Sequence, residues 1–192
     1  MNSICVPSKG KSGGLALLWP KSVSVLLQNY SHNHIDVFVK LEDSKDWWRF
    51  TGLFGEPETS KRERTWNLLS HLHGQSGRVW LCAGDFNEIL DQSEKLGGPP
   101  HPAWQIQNFR EALAGCALSN LGFTGTPFTW CNRHSLPTTI RERLDRACAN
   151  TEWSRLFPNV FVKHEPVNCS DHAVLIIRLT DIPDYSSRAA RP

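Results

Sequence analysis

The sequence predicts a layered α+β (α/β layered) domain, a two-sheet β-sandwich flanked by helices, and three observations carry that prediction. Short apolar or alternating runs rich in β-branched and aromatic side chains recur along the chain, each closed by Gly, Pro, Asn or Ser, which is the signature of strands and turns. Only two or three segments carry the 3.6-residue apolar period of a helix. The 192 residues are 40% hydrophobic and 21% charged, enough for one ordinary core and too little for two. With so many strands and so few helices, sheet packs on sheet and the helices lie outside.

Taken in order, residues 1–12 are polar, contain Lys9, Gly10 and Lys11, and read as a loop or frayed end. Residues 13–19 form a continuous apolar run closed by Pro20, a buried strand. Residues 23–29 and 35–41 are β-branched runs joined by a polar turn, a hairpin pattern. Residues 48–53 are a further strand, and Pro57, Thr59 and Ser60 supply helix-start signals. Trp66, Leu68, Leu69 and Leu72 give 61–73 a helical apolar stripe that Gly74 is expected to end. Residues 79–83 are a core strand stopped at Gly84. Residues 92–105 hold Gly97-Gly-Pro-Pro100 and read as a long loop, followed by a second helix over 106–117. A glycine-turned hairpin is expected over 121–130, strands over 143–149, 160–164 and 174–179, and a short helix over 151–157 capped by Thr151. The domain is expected to end near residue 180, with 181–192 a polar tail.

A net charge of +2 excludes a histone-like surface, so any contact with nucleic acid needs a local basic patch. The six cysteines, at 5, 82, 116, 131, 148 and 169, are too dispersed for a CxxC zinc site and too few for a disulfide scaffold. Reduced thiols and an intracellular setting, nucleus or cytoplasm and not secreted, are the expectation. The first residues lack a signal peptide's apolar core, and no run approaches the ~20 apolar residues of a membrane span.

The chemistry concentrates where strands end. Asp85 and Asn87 follow the 79–83 run, and an extended backbone would put their carboxylate and carboxamide on one side. A carboxylate can hold or deprotonate water, and a carboxamide can donate to an oxyanion without repelling phosphate. An Asx turn closing the strand is the competing reading. Asp145 stands at the head of another strand, where a salt bridge to Arg143 or Arg146 is the plain alternative, and Ser170-Asp-His172 immediately precedes the last strand. A histidine oriented by one carboxylate, beside a second carboxylate and an amide, suffices for metal-assisted phosphodiester hydrolysis. Hard Mg²⁺ suits carboxylates better than the scattered histidines.

Gly84-Asp-Phe-Asn87, Arg143-Leu-Asp145 and Ser170-Asp-His172 resemble signature motifs of the endonuclease/exonuclease/phosphatase superfamily. Gly13-Gly-Leu-Ala-Leu-Leu-Trp19, Thr51-Gly-Leu-Phe-Gly55, Glu94-Lys-Leu-Gly-Gly98, Phe128-Thr-Trp130 and Glu142-Arg-Leu-Asp-Arg146 look closer still to the endonuclease domain of plant non-LTR (LINE-type) retrotransposons. The likeness spans about residues 12–180 and implies a DNase I-like fold, DNA as partner and Mg²⁺ as cofactor. By position it implies that Asp85 positions or deprotonates the attacking water, Asn87 is a phosphate or transition-state ligand, Asp145 orients His172, His172 touches the scissile phosphate, and Asp171 lies at the metal with Asp85 or helps hold the histidine side of the site. It places Phe128, Trp130 and Arg133 at the DNA-facing rim.

The same resemblance marks two departures. The Asn-bearing and Glu-bearing strands that precede the Gly13 motif in that family have no counterpart in residues 1–12, which implies a fold lacking its first strands, weak Mg²⁺ binding and exposed strand edges open to self-association. Phe54 stands where relatives place a tyrosine hydroxyl. Three functions compete: a DNA-nicking phosphodiesterase of weak or no activity, a non-catalytic remnant binding nucleic acid weakly through Lys61, Arg62, Arg64, Arg133, Arg141 and Arg143, and a small-molecule phosphatase.

Overall fold

A computed structural model describes residues 1–8, 14–42, 44–75 and 79–179; Gly13 and the tail expected over 181–192 lie outside them. Alternation of inward apolar and outward polar side chains builds the first strands, β1 (Asn2–Val6), β2 (Leu15–Trp19), β3 (Ser24–Ser31), β4 (His34–Lys40) and β5 (Trp48–Phe54). Helix α1 (Glu63–Gln75) then crosses over to β6 (Trp80–Asp85), which lies parallel to β5, a pairing that needs such a crossover. After β7 (Lys95–Leu96) come α2 (Ala103–Gly115) and the short strands β8 (Ser119–Asn120), β9 (Thr124–Gly125), β10 (Trp130–Cys131) and β11 (Arg141–Glu142). Strand β12 (Asp145–Ala149), α3 (Thr151–Leu156), β13 (Phe161–Glu165) and β14 (Val174–Arg178) complete the described chain.

The central sheet has the order β3-β4-β5-β6-β12-β8. On one face Leu69 and Leu72 of α1 and Phe109 and Leu113 of α2 pack against Trp80, Cys82 and Cys148. Alternate residues of the same strands, Val37, Leu81, Ala83 and Ala147, face the other way and meet Val6 and Val162 with Leu17, Leu175 and Ile177 of the second layer. The expected sandwich with outer helices is therefore what forms. A buried ion pair fastens α1 to the sheet: Arg49 donates to both Asp36 oxygens, at 2.8 and 2.9 Å, and to the Leu72 carbonyl at 2.6 Å.

Several elements differ from the sequence expectation. Residues 2–6 are a strand rather than a loop, because Ile4 and Val6 alternate inward while Ser3 and Cys5 face solvent, a period-2 pattern too short to stand out in the sequence. The hairpin expected over 121–130 does not form: β9 runs parallel to β13, and β10 pairs with β11. Gly125 serves close approach rather than turning, since a Cβ there would lie 2.3 Å from the His164 carbonyl oxygen. Residues 92–105 are not one long loop, for they hold a 3-10 turn over Gln92–Glu94, β7 and the start of α2. Helix α1 runs past Gly74 to Gln75, and α3 is capped by Asn150, not Thr151: the Asn150 carboxamide oxygen accepts from Trp153 and Trp80 N–H, each at 3.0 Å. Among the described residues β2 pairs only with β1 and β14 only with β13, and edge strand β3 exposes Leu26 and Tyr30.

Candidate active site

The parallel β5–β6 and antiparallel β6–β12 pairings put Phe54, Asp85 and Asp145 in register, so their side chains share one face of the central sheet at the end of its core strands. Gly84 makes the approach: its φ is +141°, and a Cβ would stand 2.1 Å from the Leu53 carbonyl oxygen. Beyond it the chain closes a turn on the Asp85 carboxylate. Asn87, at φ +54°, donates its backbone N–H to Oδ1 at 2.8 Å and its Nδ2 to Oδ2 at 2.9 Å. The remaining amide hydrogen of Asn87 meets the Gly55 carbonyl at 2.8 Å. Turning the carboxamide over would aim its oxygen at a carboxylate and a carbonyl, so the network decides its orientation. Both amide hydrogens are thus engaged, and Asn87 holds Asp85 in place.

His172 reaches the same point from the second layer. It is bridged to Trp130, and the neighbouring Ala173 N–H donates to the Thr129 carbonyl at 2.7 Å. His172 Nδ1 lies 2.8 Å from Asp145 Oδ2; the carboxylate can only accept, so Nδ1 carries the proton and Nε2 remains for a ligand. Thr129 locks the other partner, its hydroxyl oxygen accepting from the Leu144 and Asp145 N–H groups at 2.9 and 2.8 Å. The Asx turn at Asp85 forms, and Asp145 pairs with the histidine and not with Arg143 or Arg146.

Ligand atoms from Asp85, Asp145 and His172 lie within 4.8 Å of one another. Burial, and then the adjacent Asp145 charge, push the Asp85 carboxyl up from 3.8 to about 6. Burial would lower the His172 imidazole, but the hydrogen bond and charge of Asp145 outweigh it and leave His172 above its ordinary 6.5. Two carboxylates and an imidazole so arranged form a polar cluster with surplus negative charge.

The other expected site residues fall nearby. Phe128, Trp130 and Arg133 line an open cleft of about 460 Å³ together with Arg141, Asp171 and His172. Asp171 stands outside the three-residue cluster; its carboxylate accepts from the Trp130 indole N–H at 3.1 Å. Phe54 is half-buried beside Asp85 and brings no hydroxyl. Glu56 and Glu58, the next acidic residues after Phe54, are not in the cluster, and Glu58 pairs with Lys61.

Several supporting residues went unrecognised in the sequence. Glu94 accepts from Arg143 and Arg146, each at 2.9 Å, and Glu88 from Arg62 at 2.5 Å. Arg143 is therefore withdrawn from the expected basic patch: it is 4% exposed and sits over the Phe123 ring, 4.2 Å from its centroid. The Glu94-Lys-Leu and Arg143-Leu-Asp-Arg146 strings hinted at this network only as neighbouring opposite charges far apart in sequence.

Residues 2–172 match the family model described as Endonuclease/Exonuclease/phosphatase family. The chain belongs to that family. Among solved structures it is similar to the endonuclease domain of TRAS1, a telomere-specific non-LTR retrotransposon, at 13% identity and a TM-score of 0.73 over 92% of this chain and 78% of that one. It is also similar to truncated TDP2 of Caenorhabditis elegans (13% identity, TM-score 0.51, 91% and 73% covered) and to the human Nocturnin catalytic domain (14%, 0.51, 92% and 72%). No curated protein sequence matches the chain. At these identities the structural likeness establishes the fold, the DNase I-like sandwich of the endonuclease/exonuclease/phosphatase family.

Proposed function

We propose that this chain is a retrotransposon-derived endonuclease domain that hydrolyses DNA phosphodiester bonds slowly with Mg²⁺. The observation carrying the reading is the Asp145–His172 hydrogen bond of 2.8 Å set beside Asp85 at the edge of an aromatic and basic cleft. The donor set fits a hard divalent cation: Asp85 and Asp145 supply oxygens, and Asp85, pushed up to about 6 by burial and then by the Asp145 charge, is a carboxyl that a nearby cation would favour in its ionised form. Mg²⁺ bound there would stabilise charge on phosphoryl oxygens.

The chain's own residues have separable tasks. Asp145 keeps the proton of His172 on Nδ1 and favours imidazolium, so Nε2–H can donate to a phosphate oxygen. Asp85, fixed by Asn87, orients or deprotonates water. Asp171 holds the Trp130 indole at the rim, and Phe128 and Arg133 extend that rim toward the DNA. Slow turnover follows from a cluster with only two carboxylates among the described residues. The engagement of Asp85 by two Asn87 donors also supports a second reading, a non-catalytic domain that retains weak nucleic-acid binding.

A supercoiled-plasmid nicking assay in Mg²⁺ separates the two. The expected outcome is nicking abolished by chelation and lowered about 10²- to 10⁴-fold in His172→Ala and Asp145→Asn. Equal nicking by wild type and His172→Ala would refute the catalytic reading, and none by either would leave the binding reading standing.

A further inference from the structure

On the helix side of the site a second hollow, of about 270 Å³, opens between the N-terminal turns of α1 and α2. It is lined by Trp66, Trp104, Arg62, Glu88, Gln105 and others, and the proposed function assigns it nothing. Trp66 is a rigid wall, because its other face stacks on Phe109 with centroids 4.8 Å apart and planes 19° apart. Trp104 is the unexplained residue. Its large ring is 59% exposed on a short-looped face, and it also lines a neighbouring hollow of about 450 Å³ with Gln107 and Arg110, so space lies against it on two sides. The floor between the tryptophans is polar and preorganised: Glu88, 1% exposed, accepts from Arg62, which also donates to Gln105 Oε1 at 3.0 Å. Buried Arg62 Nε has no hydrogen-bond partner.

The hollow is close to the chemistry. Glu88, which lines it, follows Asn87 directly and stands three residues after Asp85. The cleft of Phe128 and Trp130 is lined by His172 itself and this hollow by Glu88, so the cluster has an aromatic hollow next to each of its two arms. A ligand long enough to reach from a phosphate at the cluster into an aromatic hollow, and repeating in phosphates and flat rings, is a polynucleotide strand. A slot walled by indoles admits a base face, and only a base outside a duplex stack offers one.

Resting on the phosphodiesterase reading, we propose that the Trp66–Trp104 hollow binds an unpaired nucleobase of the strand whose phosphate lies at Asp85 and His172, with Trp104 the stacking platform and Gln105 and Arg62 at the base edge. The domain then favours single-stranded or locally opened nucleic acid over intact duplex.

Fluorescence anisotropy tests this with labelled oligothymidine of roughly 12 nucleotides, an abasic oligomer of equal length and a duplex, in Ca²⁺. Wild type should bind oligothymidine more tightly than the abasic oligomer. Trp104→Ala should weaken oligothymidine binding by about 5- to 150-fold while leaving the abasic oligomer unaffected, and Trp104→Phe should retain most of the difference. Exposure of Trp104 makes the variants foldable, which circular dichroism verifies. Equal losses for both oligomers, or no loss for either, would overturn the proposal. If base preference vanishes while His172-dependent nicking persists, this inference alone falls; if wild type never nicks yet Trp104-dependent base preference is present, the catalytic reading alone falls.

Discussion

At the scale of single residues, the Gly84-Asp-Phe-Asn87 string carries two kinds of constraint that sequence inspection merges. Asp85 is there for its charge, but Gly84 and Gly55 are there for space: a Cβ on Gly55 would sit 2.5 Å from the Phe86 carbonyl oxygen, and one on Gly84 2.1 Å from that of Leu53. Both neighbours are backbone and cannot turn aside. Gly84→Ala should therefore cost about 2–4 kcal/mol, combining overpacking with strain at positive φ, and urea denaturation measures it. A loss below about 1 kcal/mol would show that β5 and β6 can separate at no great cost. Gly74 supplies the contrast, for a Cβ there meets nothing within 4 Å.

At the scale of elements, β12 is anchored by guanidinium groups rather than by apolar contact alone. Arg146, fully buried, donates to Glu94 and to the carbonyls of Glu88 and Arg143, joining β12 to the segment before β7. Glu94→Ala leaves two buried cations without their carboxylate and should destabilise by about 3–5 kcal/mol. The pH dependence has a definite sign. Burial pushes the Glu94 carboxyl up, but the bonds from Arg146 and Arg143 outweigh it and hold it below its ordinary 4.5. A carboxyl depressed in the folded state contributes stability above its unfolded value and loses it as pH falls through the folded one. The stability gap between wild type and Glu94→Gln should accordingly be largest above pH 4.5 and shrink on acidification, as denaturant midpoints at several pH values will show. Burial also holds His34 and His164 below 6.5, so their contribution declines as pH drops below that value.

At the scale of the whole molecule, the Asp85, Asp145 and His172 cluster is a junction between layers: Asp85 and Asp145 come from the central sheet and His172 from the turn that leads into the second layer. Cation affinity follows from how much charge that junction gathers. Two carboxylates, one of them already hydrogen-bonded to His172 and the other to Asn87, compensate a divalent charge poorly. Isothermal titration should give a Mg²⁺ dissociation constant on the order of millimolar or weaker. Micromolar binding would contradict this count and require a further oxygen ligand. Among the described residues β2, β3 and β14 each leave one edge without a strand partner.

What the sequence determined by itself was whatever depends on local periodicity and on short motifs. The alternating runs specified most strands, the stripe of Trp66, Leu69 and Leu72 specified α1, and the three strand-end motifs specified which polar residues to watch. Periodicity failed where strands were two residues long or masked by polar neighbours, as in β1 and β9, because so few residues cannot display a period. Only the tertiary structure decided which charges meet. Asp145 could have paired with an arginine on either side; strand register placed it opposite Asp85 and beside His172, while Glu94 took both arginines. The donors of Asn87 and the role of Thr129 were equally invisible. Hydrogen-bond partners distant in sequence are selected by register and layer packing, and those are properties of the folded chain rather than of any segment of it.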